Sequence, residues 1–170
     1  SVMLIRSGNE AANAVAEYAA TALVLLARKR AALLPGRTLG VVGVGQVGSR
    51  VAQKAEFLGL RVLRNDPPLA LQTGSADFRP LEAILSEADI LTLHVPLESA
   101  GPFPTRHLAD CRLFEKLKPG AWFVNSSRGA VTDSDSLQCA LDHHLLAACA
   151  LDVWEKEPEL PEPLKRAVDF

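Results

Sequence analysis

The sequence has little to offer a nucleic acid, a membrane or an oxidising compartment. Its 18 Lys and Arg stand against 20 Asp and Glu, a net charge of −2, so no global attraction to a phosphate backbone or anionic lipid is expected. The one basic run, Arg28-Lys29-Arg30, follows an apolar helical stretch, where the helix dipole favours cations in the last turn. The most apolar stretch, Tyr18 to Ala27, is bracketed by Glu17 and Arg28 and falls well short of the ~20 residues a bilayer span needs. No basic segment precedes it, as one would in a secretory signal. The three cysteines, Cys111, Cys139 and Cys149, are odd in number and lack Cys-x-x-Cys spacing. Small buried thiols in a reducing, cytoplasmic setting are therefore expected, not a disulfide framework. His143 and His144 are adjacent, so a helix turns them to different faces and no metal site is expected.

What the sequence has is enough apolar material for one core. At 170 residues and 48% hydrophobic content, a folded chain buries roughly 70% of the surface its unfolded form exposes. Residues 10 to 34 read as one long helix rich in Ala and Leu, ended by Pro35-Gly36, with apolar residues on more than one stripe. That pattern points to a partner face as well as a core face, the kind of face a homodimer through this helix would use. Beyond it, apolar runs of strand length at Leu39–Val42, Arg61–Leu63, Ile90–Leu93, Ala121–Val124 and Leu146–Leu151 alternate with helical segments at 46–58, 80–87, 109–117 and 133–143. Near-continuous apolar strands separated by helices predict an α/β, doubly wound parallel sheet of the Rossmann type, with helices on both faces. The proline-rich stretch from Glu157 to Pro163 reads as a surface connection, and Val168-Asp169-Phe170 as the start of another strand.

One motif has the context that gives it meaning. Gly43-Val44-Gly45-Gln46-Val47-Gly48 follows a predicted strand and opens a predicted helix. Gly43 permits the tight turn, Gly45 lets backbone approach a pyrophosphate, and Gly48 lets helix and strand pack closely. The amides of Gln46 and Val47 would face the phosphates from the helix N-terminus. Asp66, 23 positions beyond Gly43 at the end of the next strand, is placed to bind the adenosine ribose hydroxyls and repel the extra phosphate of NADP. Arg64 nearby would favour NADP, but alternation along the strand leaves Asp66 at the tip, so NAD is the expected cofactor.

In an open parallel sheet, ligands bind beyond the carboxyl ends of the strands. The polar residues closing each later strand should therefore share one crevice: His94 with Pro96, Asn125-Ser126-Ser127-Arg128-Gly129, and Asp152 with Trp154, followed by Glu157. Arg128 could clamp a substrate carboxylate or make an ordinary salt bridge. Asp152 could hold the nicotinamide carboxamide or cap a turn. Glu157 could charge a catalytic histidine or be one acid in a charged loop. His94 is expected to shape the cofactor wall, and His107 sits in a loop that says little.

Together Val41–Gly48, Leu93-His94-Val95-Pro96-Leu97, Asn125–Gly129 and Leu151-Asp152-Val153-Trp154 with Glu157-Pro158 resemble the NAD-dependent D-2-hydroxyacid dehydrogenases. More particular likenesses, Asp66-Pro67-Pro68 and Gly101-Pro102 through Thr105 to His107-Leu108, point within that family to a small phosphorylated 2-hydroxy acid as substrate. The resemblance implies NAD contacts from Gln46, Val47, Asp66, Val95 and Asp152, with Arg128 and Glu157 catalytic; Ser126, closing the fourth strand, is a further expected cofactor contact. Members often carry threonine at Val95, so one hydroxyl contact is missing here. It also implies a proton-transferring histidine beyond Val168 and a substrate domain. Residues 1–9 read as a remnant of the latter, with Ser7 touching substrate, and residues 10–170 as the NAD-binding domain. The expectation is thus a cofactor-binding part with little turnover by itself. A phosphoglycerate- or glyoxylate-type substrate, and a non-catalytic NAD(H)-binding module, stay open as alternatives.

Overall fold

Side chains along a strand alternate between two faces, and here both sets are apolar, so each strand needs cover on both sides. The computed structural model describes residues 8–157 and 162–169. Among them, five parallel strands, β1 (Thr38–Val42), β2 (Arg61–Asn65), β3 (Ile90–Leu93), β4 (Ala121–Asn125) and β5 (Leu146–Leu151), form one sheet in the order β2-β1-β3-β4-β5. Helices α1 (Gly8–Lys29) and α2 (Gln46–Phe57) cover one face. There Leu39, Val41, Ile90, Trp122, Val124, Ala148 and Ala150 meet Ala16, Leu23, Leu26, Val51 and Ala55. Helices α4 (Leu81–Glu87), α5 (Cys111–Lys116) and α6 (Ser134–Asp142) cover the other. On that side Leu91, Leu93, Phe123, Cys149 and Leu151 meet Ile84, Phe114 and Leu137, and Phe114 stands edge-on to Phe123 at 5.2 Å. The doubly wound α/β arrangement expected from the sequence is the one found.

By length and composition α1 would also satisfy a bilayer span, but its Ala16, Ala19, Ala22, Leu23 and Leu26 are buried in this core. The helix stops at Lys29 rather than continuing to residue 34. Ala31 adopts a left-handed φ of 49°, and the amide of Ala32 donates back to the Ala27 carbonyl at 2.9 Å. This closes the last turn before Pro35 is reached.

Two helices escaped the sequence reading. α3 (Pro67–Thr73) begins with Asp66 as N-cap, its Oδ1 accepting from the Leu69 amide at 3.0 Å, and with prolines in the first turn, where a missing N–H costs nothing. α7 (Glu162–Ala167) occupies part of what reads as a proline-rich connection; Pro163 sits in its first turn. Val168 and Asp169 do not start a strand, although the Asp169 amide donates to the Cys149 carbonyl on β5 at 2.8 Å. The Asp169 carboxylate is better occupied: it accepts from the Cys149 amide and pairs with Lys29, the last residue of α1, and with Arg30 just after it. Residues 1–7 of the expected substrate-domain remnant, with the substrate contact at Ser7, lie outside the described residues.

Candidate cofactor and active site

The turn from β1 into α2 has three glycines in three different surroundings. Gly43 holds φ at +84°, and a Cβ there would lie 2.6 Å from the His94 carbonyl on the neighbouring strand end. A Cβ on Gly48 would lie 1.9 Å from the Gly43 carbonyl, so helix and strand close on each other only because it is absent. Gly45, by contrast, has nothing within 4 Å of its missing Cβ and faces open space. It is the N-cap residue of α2, its carbonyl accepting the Ser49 amide at 3.0 Å. The first-turn amides of Gln46 and Val47 therefore have no acceptor within the helix. The three environments are those an approaching diphosphate requires.

This turn sits where the strand order reverses between β1 and β3, the topological switch at which α/β sheets bind ligands. A cleft of about 890 Å³ opens there, lined by Val42, Gly43, Gly45, Asp66, His94, Val95 and Pro96 on the sheet side, by Pro80 and Leu81 at the start of α4, and by Pro102-Phe103-Pro104 opposite. The latter wall is clipped shut by Thr105, whose hydroxyl donates to the Pro96 carbonyl and accepts the Glu98 amide at 2.8 Å. Asp66 binds the glycine turn directly, its Oδ2 accepting the Val44 amide at 2.8 Å. Each of its oxygens has one such partner, and a carboxylate offers about four lone-pair sites. Acceptor capacity thus remains toward the cleft. Arg64 is paired with Glu56 at 2.5 Å and does not line the cleft. His94 lies with Nε2 2.9 Å from Thr92 Oγ1 and Nδ1 3.4 Å from Ser126 Oγ. Burial lowers its pKa from 6.5 to about 4, so it is a neutral wall residue.

The other polar residues gather along the same sheet edge, beyond β4 and β5. Fully buried Asn125 organises the turn after β4. Its Nδ2 donates to the Arg128 carbonyl at 3.2 Å and to Thr132 Oγ1 at 3.0 Å, while its Oδ1 accepts from the Ser127 amide and hydroxyl. Arg128 is exposed at the tip, with Nη1 donating to the Ser127 carbonyl at 2.7 Å. Asp152, also exposed, is tied to β4 by its amide, which donates to the Asn125 carbonyl at 3.0 Å. Glu157 is exposed and accepts the Trp154 amide at 2.7 Å. The turns bearing Arg128 and Glu157 touch: a Cβ on Gly129 would lie 1.9 Å from the Trp154 carbonyl.

Over residues 2–169 the chain matches the family described as D-isomer specific 2-hydroxyacid dehydrogenase, NAD binding domain. The chain belongs to this family. Erythronate-4-phosphate dehydrogenase of Salinibacter ruber is 48% identical over 164 residues, 94% of this chain and 42% of that protein. The enzyme of the same name from Salmonella paratyphi B is 47% identical over 157 residues, again 42% of its length. The chain thus spans about two fifths of the curated relatives it matches. Among solved structures, the NAD-dependent formate dehydrogenase of Staphylococcus aureus in complex with NAD superposes with a TM-score of 0.78 at 26% identity, over 91% of this chain and 51% of that one. The D-lactate dehydrogenase of Aquifex aeolicus complexed with NAD and lactic acid gives 0.74 at 26% identity, over 89% and 54%.

Within this family member, the structure brings Gly43, Gly45, Asp66, His94, Val95 and Pro96 into one cleft. Ser126 adjoins it through His94, while Gln46 and Val47 open α2 at its mouth. Arg128, Asp152 and Glu157 lie farther along the sheet edge and do not line that cleft. Three residues that organise the site were not singled out for this in the sequence: Asn125, Thr105 and Glu155. Glu155 pairs with His107 at 2.5 Å and accepts the Ser134 amide at 3.0 Å. Burial alone would raise its carboxyl, but the bonds from His107 and Ser134 outweigh that and hold its pKa below the usual value. The sequence shows Asn125 only as one of the polar residues closing β4; its partners all lie within seven residues, and an asparagine whose Oδ1 accepts the amide two positions on, as from Ser127, is the signal that could have found it.

Proposed function

We propose that this chain holds NAD for the oxidation of 4-phosphoerythronate to its 2-oxo acid, carried out by the complete protein. The observation that supports the cofactor reading most is the contrast among the three glycines of the β1–α2 turn: Gly43 and Gly48 are closed in by backbone, while Gly45 faces open space beside first-turn amides that have no acceptor in the helix. The Gln46 and Val47 amides would hold the diphosphate. The free acceptor sites of Asp66 would hold the ribose hydroxyls and its charge would exclude a 2′-phosphate. Val95 and Pro96 would wall the cofactor, and Ser126 would steady His94 behind it. Asp152 would accept from the nicotinamide carboxamide. Bound NAD supplies the hydride acceptor.

On the substrate side, Arg128 would fix the carboxylate in a two-pronged pair. Glu157 would stabilise the positive charge on the histidine that takes the hydroxyl proton in this family. The choice of substrate is supported by 47–48% identity to proteins named for it. The exposed Val24 and Leu25 on α1 and Phe57 at the end of α2 support a homodimer through this face, which sedimentation of the complete protein checks.

The test is NADH formation by the complete protein from 4-phosphoerythronate, with 3-phosphoglycerate and glycolate in parallel. Preference for either of the latter overturns the substrate, and calorimetry showing no NAD uptake overturns the whole reading. Replacing Arg128 with Ala is expected to leave the NAD dissociation constant within about twofold and to lower kcat/KM by roughly 10²-fold, the worth of a charge-assisted pair. A collapse of NAD affinity would instead make Arg128 a cofactor residue.

A further inference from the structure

Three chain segments converge behind the exposed Arg128 and Glu157. The wall of the cofactor cleft ends in Thr105–Ala109, and its backbone is stitched to the arginine turn: the His107 amide donates to the Ala130 carbonyl at 2.9 Å and the Ala109 amide to Val131 at 3.0 Å. The arginine turn meets the Trp154–Glu157 turn at Gly129. One side-chain hydrogen bond spans from the first segment to the third: His107 Nε2 stands 2.5 Å from Glu155 Oε1. The second oxygen of Glu155 accepts the Ser134 amide at the start of α6, at 3.0 Å. Glu155 is thereby held from two elements at once, with its side chain only 12% exposed. Two residues on, Glu157 closes the same turn by accepting the Trp154 amide.

His107 adopts a left-handed φ of 51°, a conformation that costs a non-glycine residue about 1 kcal/mol or more. That conformation is retained at the position whose imidazole reaches Glu155. Asp133 lies close enough that His107, Asp133 and Glu155 could be taken for a cation site, their ligand atoms falling within 4.8 Å of one another. The contacts argue for a latch. Two ligands on one tetrahedral ion stand about 3.3 Å apart, wider than the 2.5 Å between His107 and Glu155, and one oxygen of Asp133 already serves as the N-cap of α6, accepting from the Ser136 amide and hydroxyl.

We propose that His107 and Glu155 are positioning residues that hold the Glu157 turn in register with the Arg128 turn. The proposal rests on the roles given above to Arg128 and Glu157. A loosened latch leaves the diphosphate and ribose side of the cleft intact, because Gly45 and Asp66 lie on other elements and Thr105 is tied separately to Pro96 and Glu98. The carboxylate of Glu157 then drifts relative to the guanidinium of Arg128, and misplacement on the scale of 1 Å costs up to about 10² in rate.

The experiment uses the complete protein with His107→Ala, Glu155→Ala and both together. Each single change should lower kcat on the order of 10-fold, with NAD affinity within about twofold, and the double change should lose no more than the worse single one. His107→Gln, which keeps a donor toward Glu155, should restore most of the rate. Glu155→Gln keeps an acceptor for Ser134 and serves if the alanine variant fails to fold. Amide exchange at Trp154 should quicken in the variants while exchange at Val44 stays constant, a readout that needs no substrate. Unchanged kcat and unchanged Trp154 exchange overturn the latch; so do losses that add in the double variant, or NAD affinity falling in step with kcat. Absence of turnover in the unmodified protein with Trp154 exchange still responding strikes at the functional reading and leaves the latch standing as geometry.

Discussion

At the scale of single residues, the site is made as much by missing atoms as by present ones. Gly45 and Gly48 lie three positions apart, yet their substitutions should separate folding from binding. Gly48→Ala forces a Cβ to within 1.9 Å of the Gly43 carbonyl, and since backbone must move, it should cost about 3 kcal/mol. For a chain of this length that is a fall of about 6–12 °C in Tm. Gly45→Ala meets nothing within 4 Å and keeps an ordinary φ of −71°. It should lower Tm by only about 2–4 °C, the loss of a good N-cap, while weakening NAD binding at least tenfold. Melting curves and calorimetry on the two variants check both halves. The motif itself was legible as a spacing of three glycines. Which glycine faces ligand and which faces backbone follows from the crossing of α2 over β1, which the spacing implies only when a strand and a helix flank it.

At the scale of elements, the loops after the strands are held from within. Asn125 ends β4, has no exposure, and satisfies all four of its hydrogen-bonding sites inside a single turn. Asn125→Ala strands the Ser127 amide and leaves the Arg128 carbonyl only the Val131 amide; it should destabilise by about 2–4 kcal/mol, with kcat falling further than NAD affinity because Arg128 loses its platform. Urea unfolding and steady-state kinetics on the complete protein check this. α3 and α7 show why element boundaries were the harder part of the sequence. Proline reads as a breaker in the interior of a helix but is well suited to its first turn, and Asp66-Pro67-Pro68 and Glu162-Pro163 both place it there. Asp66 was read as a ligand group alone. In the fold it also caps α3 and binds the Val44 amide, so one carboxylate ties three pieces of the cleft together.

At the scale of the whole molecule, the sheet sets an acid limit. His94 has its pKa lowered by burial from 6.5 to about 4. The unfolded chain therefore takes up a proton below pH 6.5 that the folded chain refuses until about pH 4, and stability drains as pH falls through that interval. The full loss is about 3 kcal/mol. Asp89, Glu155 and Asp169, whose pKa values lie below the ordinary range because their hydrogen bonds and ion pairs outweigh burial, lose their contributions only at lower pH, below about 4. Unfolding free energies at pH 7.5, 5.5 and 4.5 should slope downward in the unmodified protein and run flatter between 7.5 and 4.5 in His94→Gln. Equal slopes would remove His94 as the cause. The sequence by itself determined the parallel sheet, the glycine turn and the acid on the next strand, because strand and helix periodicity and a motif of fixed spacing are properties of neighbouring residues. Only the tertiary structure decided that Arg64 is engaged by Glu56, that Asn125 carries the arginine turn, and that His107 reaches Glu155 across 48 residues. The His107–Glu155 contact joins loops beyond different strand ends that only the sheet order sets side by side, Arg64 meets Glu56 where β2 lies against the end of α2, and Asn125 works within its own turn, where the fold decides which of the polar residues is turned inward.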